Sequence, residues 1–189
     1  MAEHKTPMTE PHKHRLDILM FGLLYPAVLG VLLFGYLENV DPDEPFLLFA
    51  GLFALLFFAS QFVEGQFSGQ DSTLPAAARR FFFEILDTVL IYQIAVLLGF
   101  AAPLIKKPLP HFLAIPERGF FALILITFLM PIIHRTVSDG SFSDKSVGRD
   151  IIASFAIAVS LIGAVTDWCG WLGVLFFLLF FYFLILLKK

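Results

Sequence analysis

The chain has little of what soluble chemistry draws on. Cysteine occurs once, at Cys169, so no intramolecular disulfide forms and no cysteine-pair metal spacing exists. Its position near a helix end reads as that of a small apolar residue rather than a reactive thiol. Charge is sparse: 15% of the 189 residues are Asp, Glu, Lys or Arg, and the formal net charge is -3. The 13 basic residues lie at the ends of apolar runs and build no face that could follow phosphates, which argues against nucleic acid as a partner. Alternation of apolar and polar residues is missing, which excludes strands and a transmembrane β-barrel. The apolar runs also lack a polar face, so they make poor helices for a soluble domain.

What is abundant is apolar. Hydrophobic residues make up 58% of the chain, with 24 Phe, where soluble domains sit near 45–50%; mean hydropathy is +0.83. A bilayer core about 30 Å thick needs roughly 20 apolar residues in a helix. Six runs approach that length: Ile18 to Leu37 with Pro26 inside it, Phe46 to Val63, Phe81 to Leu104, Gly119 to Ile133 with Pro131 near its end, Ile151 to Val165, and Trp171 to Leu187. The expected fold is therefore an all-α integral membrane protein of six transmembrane helices. Residues 1–15 form a polar tail, and residues 16–189 a single transmembrane domain. The tail precedes a run of spanning length without a small-x-small cleavage pattern, so the first helix is expected to act as the targeting signal and to stay in place.

Orientation follows the basic residues. Lys5, Lys13, Arg15, Arg79, Arg80, Arg135, Lys145, Arg149, Lys188 and Lys189 fall on one side; Lys106, Lys107 and Arg118 fall on the other. The first loop, from Glu38 to Pro45, is purely acidic among its charges. Both termini are thus predicted to be cytoplasmic (N-in/C-in). Trp168 and Trp171 fall at the outer interface, where indoles prefer to sit, and Asp167 reads as a solvated helix end. Two cytoplasmic loops echo one another, Glu64-Gly65-Gln66-Phe67-Ser68 and Asp139-Gly140-Ser141-Phe142-Ser143. They suggest a same-orientation repeat of helices two–three and four–five.

The chemistry-bearing residues cluster near the cytoplasmic ends of the spans. Gln61 and Glu64 close the second, Arg79, Arg80, Glu84 and Asp87 open the third, His134 and Arg135 close the fourth, and Arg149 and Asp150 open the fifth. Arg80 and Glu84 share a helix face at i, i+4. Asp87 lies about two turns deeper than Arg80, with Thr88 and Tyr92 adding hydroxyls nearby and Gln93 an amide at mid-membrane. A carboxylate in lipid costs about 3 kcal/mol, so Asp87 must face the protein interior, a cavity or a cation. Two readings stand side by side. Either Asp87 and Glu84 bind protons or a cation during transport, or Glu84 pairs with Arg79 or Arg80 and Asp87 with Arg135 or Arg149 to hold the helices in register.

No metal site or enzyme is expected. His4, His12 and His14 lie in the tail without an anchored third ligand, His134 reads as an interface residue, and Ser141 has no His and Asp in fixed reach. No cofactor is implied. The expected function is a small cation or proton transporter or channel using an intramembrane carboxylate. The alternative is a non-catalytic subunit or scaffold within a larger membrane complex, favoured by the phenylalanine content and the all-apolar sixth helix. The partners are the lipid bilayer and either further copies of the chain or a larger membrane complex.

The stretch Ala78-Arg79-Arg80-Phe81-Phe82-Phe83-Glu84-Ile85-Leu86-Asp87-Thr88 resembles the opening helix of the RDD family, in which an Asp follows an Arg pair by seven residues before an aliphatic run. Lys145-Ser146-Val147-Gly148-Arg149 is similar to that family's Thr-Leu-Gly-Lys-Arg loop. The likeness covers residues 78–150. It departs at Asp144, where a Gly is usual, after Arg149, and at the C-terminus, where the family's last Asp has no counterpart. The resemblance implies a bacterial inner-membrane protein, in some members linked to cation/proton exchange, with Arg80 and Asp87 as the paired signature and Gly148 and Arg149 as loop residues.

Overall fold

The computed structural model describes residues 18–67, 74–103, 115–139 and 147–187. Among them are six α-helices and no strand: α1 Tyr25–Asn39, α2 Pro45–Phe67, α3 Leu74–Leu97, α4 Pro116–Asp139, α5 Val147–Thr166 and α6 Trp171–Leu187. Helix α1 is preceded without a break by a π-helical stretch, Ile18–Leu24. Its cause lies in the sequence. Pro26 has no N–H and its ring crowds the carbonyl one turn back, so the chain widens before the proline and resumes α geometry at Tyr25. Residues 1–15, expected as a cytoplasmic tail, fall outside the described residues.

The helix ends are set by local chemistry. Asn39 donates from Nδ2 to the Gly35 carbonyl (2.9 Å) and closes α1. The α1–α2 connection turns on Asp41, whose Oδ1 accepts from the Asp43 N–H at 2.9 Å, and Pro45 then opens α2 with a preset φ. Helix α3 stops at Gly99, which has φ +76°; the Phe100 N–H reaches back to the Ala95 carbonyl at 2.7 Å, the six-to-one bond of a glycine-terminated helix.

Two predicted spans need correction. The third was expected over Phe81 to Leu104, but α3 runs Leu74–Leu97, seven residues earlier at both ends. The fourth was expected over Gly119 to Ile133, but α4 runs Pro116–Asp139.

Helices α2 and α3 each touch three others. Helix α2 packs against α1, α3 and α6, while α4 lies along α5, α3 meets α1 and α4, and α5 meets α6. The core is aromatic. Phe53 and Phe58 are fully buried, and the Phe53 ring meets Phe57 at 5.9 Å, Phe176 at 5.4 Å and Phe120 at 6.3 Å. The pair with Phe57 is stacked and the other two are edge-to-face; aromatic pairs of these kinds add about 1 kcal/mol each beyond burial. The hairpins expected to repeat pack unlike each other: α4 and α5 are in contact along much of their length, α2 and α3 only briefly.

Large apolar side chains also stand on the outside. Phe34, Phe82, Phe155, Val165, Phe177 and Phe180 are all more than half exposed. Two helical stretches are long and apolar enough to cross a membrane, Gly22–Asn39 and Pro45–Val63, while the apolar stretches Ile151–Thr166 and Trp171–Ile185 are shorter.

Candidate functional site: a carboxyl layer at mid-bundle

Asp87 sits thirteen residues from the start of α3 and ten from its end. At 1.5 Å per residue that is about 15 Å from the Gly99 end, the middle of the helix rather than its rim. Its neighbour across the bundle is Tyr25 of α1, whose hydroxyl is hydrogen-bonded to the Asp87 carboxyl. The same hydroxyl lies 3.2 Å from the main-chain carbonyl of Phe58 on α2. Tyr25 is buried, and its ring stacks on Phe62 at 5.5 Å, which fixes where the hydroxyl points.

Glu84 stands one turn before Asp87 on α3, near enough for the two carboxyls and the Tyr25 hydroxyl to feel one another's charge. Tyr182 of α6 faces Tyr25 and accepts a hydrogen bond from Gln61 Nε2 of α2 at 3.4 Å. The layer therefore draws on α1, α2, α3 and α6. Phe58 meets the layer through its main-chain carbonyl and Phe62 through its stack on Tyr25.

The remaining candidates separate. Thr88 donates to the Glu84 carbonyl at 2.8 Å, so its hydroxyl is spent within α3. Tyr92 does not join Asp87; its hydroxyl donates to the Ala102 carbonyl at 2.6 Å and ties the end of α3 to the following turn. Gln93 is half-buried. The side chains of Arg79, Arg80, Glu64, His134, Arg135 and Arg149 lie outside the described residues, as do the ion pairs expected of them. Among the described residues no group of three or more His, Cys, Asp or Glu could hold a metal ion.

Sequence reasoning missed Tyr25, Tyr182 and the Phe58 carbonyl. The available signal was a phenol inside an apolar run directly before Pro26.

A second polar feature lies at the other end of the bundle. Arg118 at the start of α4 grips Asp167 just beyond α5 with Nε on Oδ1 and Nη2 on Oδ2, both at 2.5 Å. Asp167, expected as a solvated helix end, is thus half of a two-pronged clasp. The hydrogen bonds from Arg118 hold its carboxyl below the usual carboxylate range, and the guanidinium is raised in turn. Asp167 adopts φ +54° to turn the chain, and Trp171 Nε1 donates to Thr166 Oγ1 at 3.0 Å beside it.

Neither a protein-family model, nor a curated protein, nor a solved structure matches the chain. Function therefore rests on the mid-bundle layer. A carboxyl pair there, with hydroxyl partners and apolar walls, can take up and release a proton, because the charged form is costly in such surroundings and the neutral form is not.

Proposed function

We propose that the chain is a multi-pass membrane protein of six spans with both termini cytoplasmic, resident in a bacterial inner membrane, and that it moves protons or a small cation by way of Asp87. The exposed phenylalanines support the lipid-facing part of this reading, since soluble monomers seldom expose large contiguous apolar surface. The mid-helix position of Asp87 carries the transport part. Intramembrane carboxylates are costly and are retained where they do work. Glu84 would share charge with Asp87, and Tyr25, Tyr182 and Gln61 would supply the polar lining. The short α6 and the modest size of one bundle favour assembly of several copies or packing within a larger complex. The resemblance of residues 78–150 to the RDD family supports the same reading through Arg80 and Asp87.

The scaffold reading keeps one specific support, the continuous aromatic packing around Phe53, which suits a rigid element as well as a transporter. The two readings part on one measurement. The purified chain is reconstituted into liposomes, and proton and monovalent-cation flux is followed with a pH-sensitive dye, with Asp87→Asn beside it. Flux that falls to background in a helical, monodisperse Asp87→Asn protein is the expected result. Equal flux in both removes Asp87 from the path, and none in either sinks the transport reading.

A further inference from the structure

The geometry points to Tyr25 as the positioning residue of a proton site, one that reads the protonation state of Asp87 and passes it to α2. The inference builds on the proposed role of Asp87 but concerns a different residue and names the ligand as a proton. Tyr25 owns a single hydroxyl proton and has two acceptors within reach, the Asp87 carboxyl on α3 and the Phe58 carbonyl on α2 at 3.2 Å. One proton serves one good hydrogen bond at a time. With Asp87 charged, the carboxylate is the stronger acceptor and takes the Tyr25 proton. When a proton from solvent binds Asp87, the new carboxylic O–H donates to the Tyr25 oxygen. The Tyr25 O–H then turns to the Phe58 carbonyl. One proton is added and no covalent bond breaks; the Tyr25–Asp87 hydrogen bond reverses direction, and the contact between α1 and α2 gains a hydrogen bond as Asp87 becomes neutral.

The local backbone suits this role. The Tyr25 ring is pinned against Phe62 at 5.5 Å, so the hydroxyl proton reorients without moving the side chain. The π-helical stretch ends directly before Tyr25, and such turns collect at functional positions because the ladder there is already irregular. The titratable groups facing Asp87 and Tyr25 among the described residues are Glu84 on α3 and Tyr182 on α6; α2 contributes the neutral Gln61 through Tyr182.

Difference infrared spectroscopy of the full chain in lipid nanodiscs tests this without any gradient. On acidification the wild type should show a protonated-carboxyl C=O band together with a tyrosine ring-band shift. Asp87→Asn should lose both, although its tyrosine is intact. Tyr25→Phe should keep the carboxyl band, displaced toward a carboxyl free of a hydroxyl partner, and lose the tyrosine shift. A tyrosine shift that survives in Asp87→Asn, or a carboxyl band at the same position in Tyr25→Phe, overturns the inference. Should Tyr25→Phe not fold, the Asp87→Asn arm decides alone. Coupled bands without liposome flux would leave the proton site standing and remove transport; flux without coupled bands would do the reverse.

Discussion

Gly35 offers a sharp test of how the bundle holds the carboxyl layer together. The helix leaves no room at this position: a methyl group on Gly35 would collide with the main-chain carbonyl of Phe100, and its nearest side-chain neighbour would be Phe100 Cβ at 2.8 Å. The obstacle is backbone in a turn already fixed by Gly99 and by the Phe100 to Ala95 hydrogen bond, so it cannot rotate away as a side-chain tip would. Overpacking of this sort costs about 1–3 kcal/mol, and the rigid neighbour places Gly35→Ala toward the upper end. Against that, alanine is the better helix former by about 1 kcal/mol. The net expectation is a loss of about 2 kcal/mol. Gly30 on the same helix is the internal control. A Cβ there meets nothing within 4 Å, so Gly30→Ala should gain up to about 1 kcal/mol from propensity alone. Thermal unfolding of the two variants and the wild type in one mild detergent measures both signs. Equal stability of Gly35→Ala and wild type would refute the close approach of α1 to the end of α3. With it would go one of the contacts that align α1 with α3, the pair of helices that carries Tyr25 and Asp87.

Three further outcomes are expected. Phe53→Ala should cost about 3 kcal/mol in detergent unfolding, near the low end for a buried Phe because lipid or detergent removes part of the transfer cost while the cavity remains; a loss under ~1 kcal/mol would mean the core is not built around that ring. Asp167→Asn should lower the unfolding temperature at neutral pH, and the gap to wild type should close in acid. The sign follows from a carboxyl held below its ordinary value: its contribution is present above about pH 3.9 and vanishes as pH falls through the lowered folded value, so a gap unchanged by acid would show that the clasp with Arg118 is not what was lost. Cys169 is exposed and lies between α5 and α6, on the side that the proposed orientation places outside, so a membrane-impermeant thiol reagent should label it in intact cells without any engineered residue; labelling only after lysis would invert the proposed orientation.

Helix number and order were legible because apolar runs separated by Pro, Gly and charge carry them directly, and the last span was expected over the same Trp171 to Leu187 that α6 occupies. The register of α3 was not legible. Hydropathy continues through Leu98, Phe100, Ala101 and Ala102 and takes no notice of the positive φ at Gly99 that ends the helix. It also passes over Ala76, Ala77 and Ala78, which are good helix formers yet only weakly apolar. Long-range partners were equally hidden. Tyr25 with Asp87, and Arg118 with Asp167, pair across distances in the chain that no local spacing rule covers.

The register of α3 has the larger consequence. Placed over Phe81 to Leu104, the helix leaves Asp87 two turns from a charged rim, where an arginine partner from the next loop is a natural expectation and a structural ion pair explains the residue. Placed over Leu74–Leu97, the same helix has Asp87 about 20 Å from its start and about 15 Å from its end, beside a buried phenol on α1 and a second carboxyl on α3, with Arg80 still two turns away on the same helix. Taking up a proton neutralises Asp87 at the depth where it sits, with Tyr25 already in place to accept the new hydrogen bond. Tyr25, rather than the length of α3, is what favours proton binding over register-keeping, because its hydroxyl can serve the carboxyl in either protonation state.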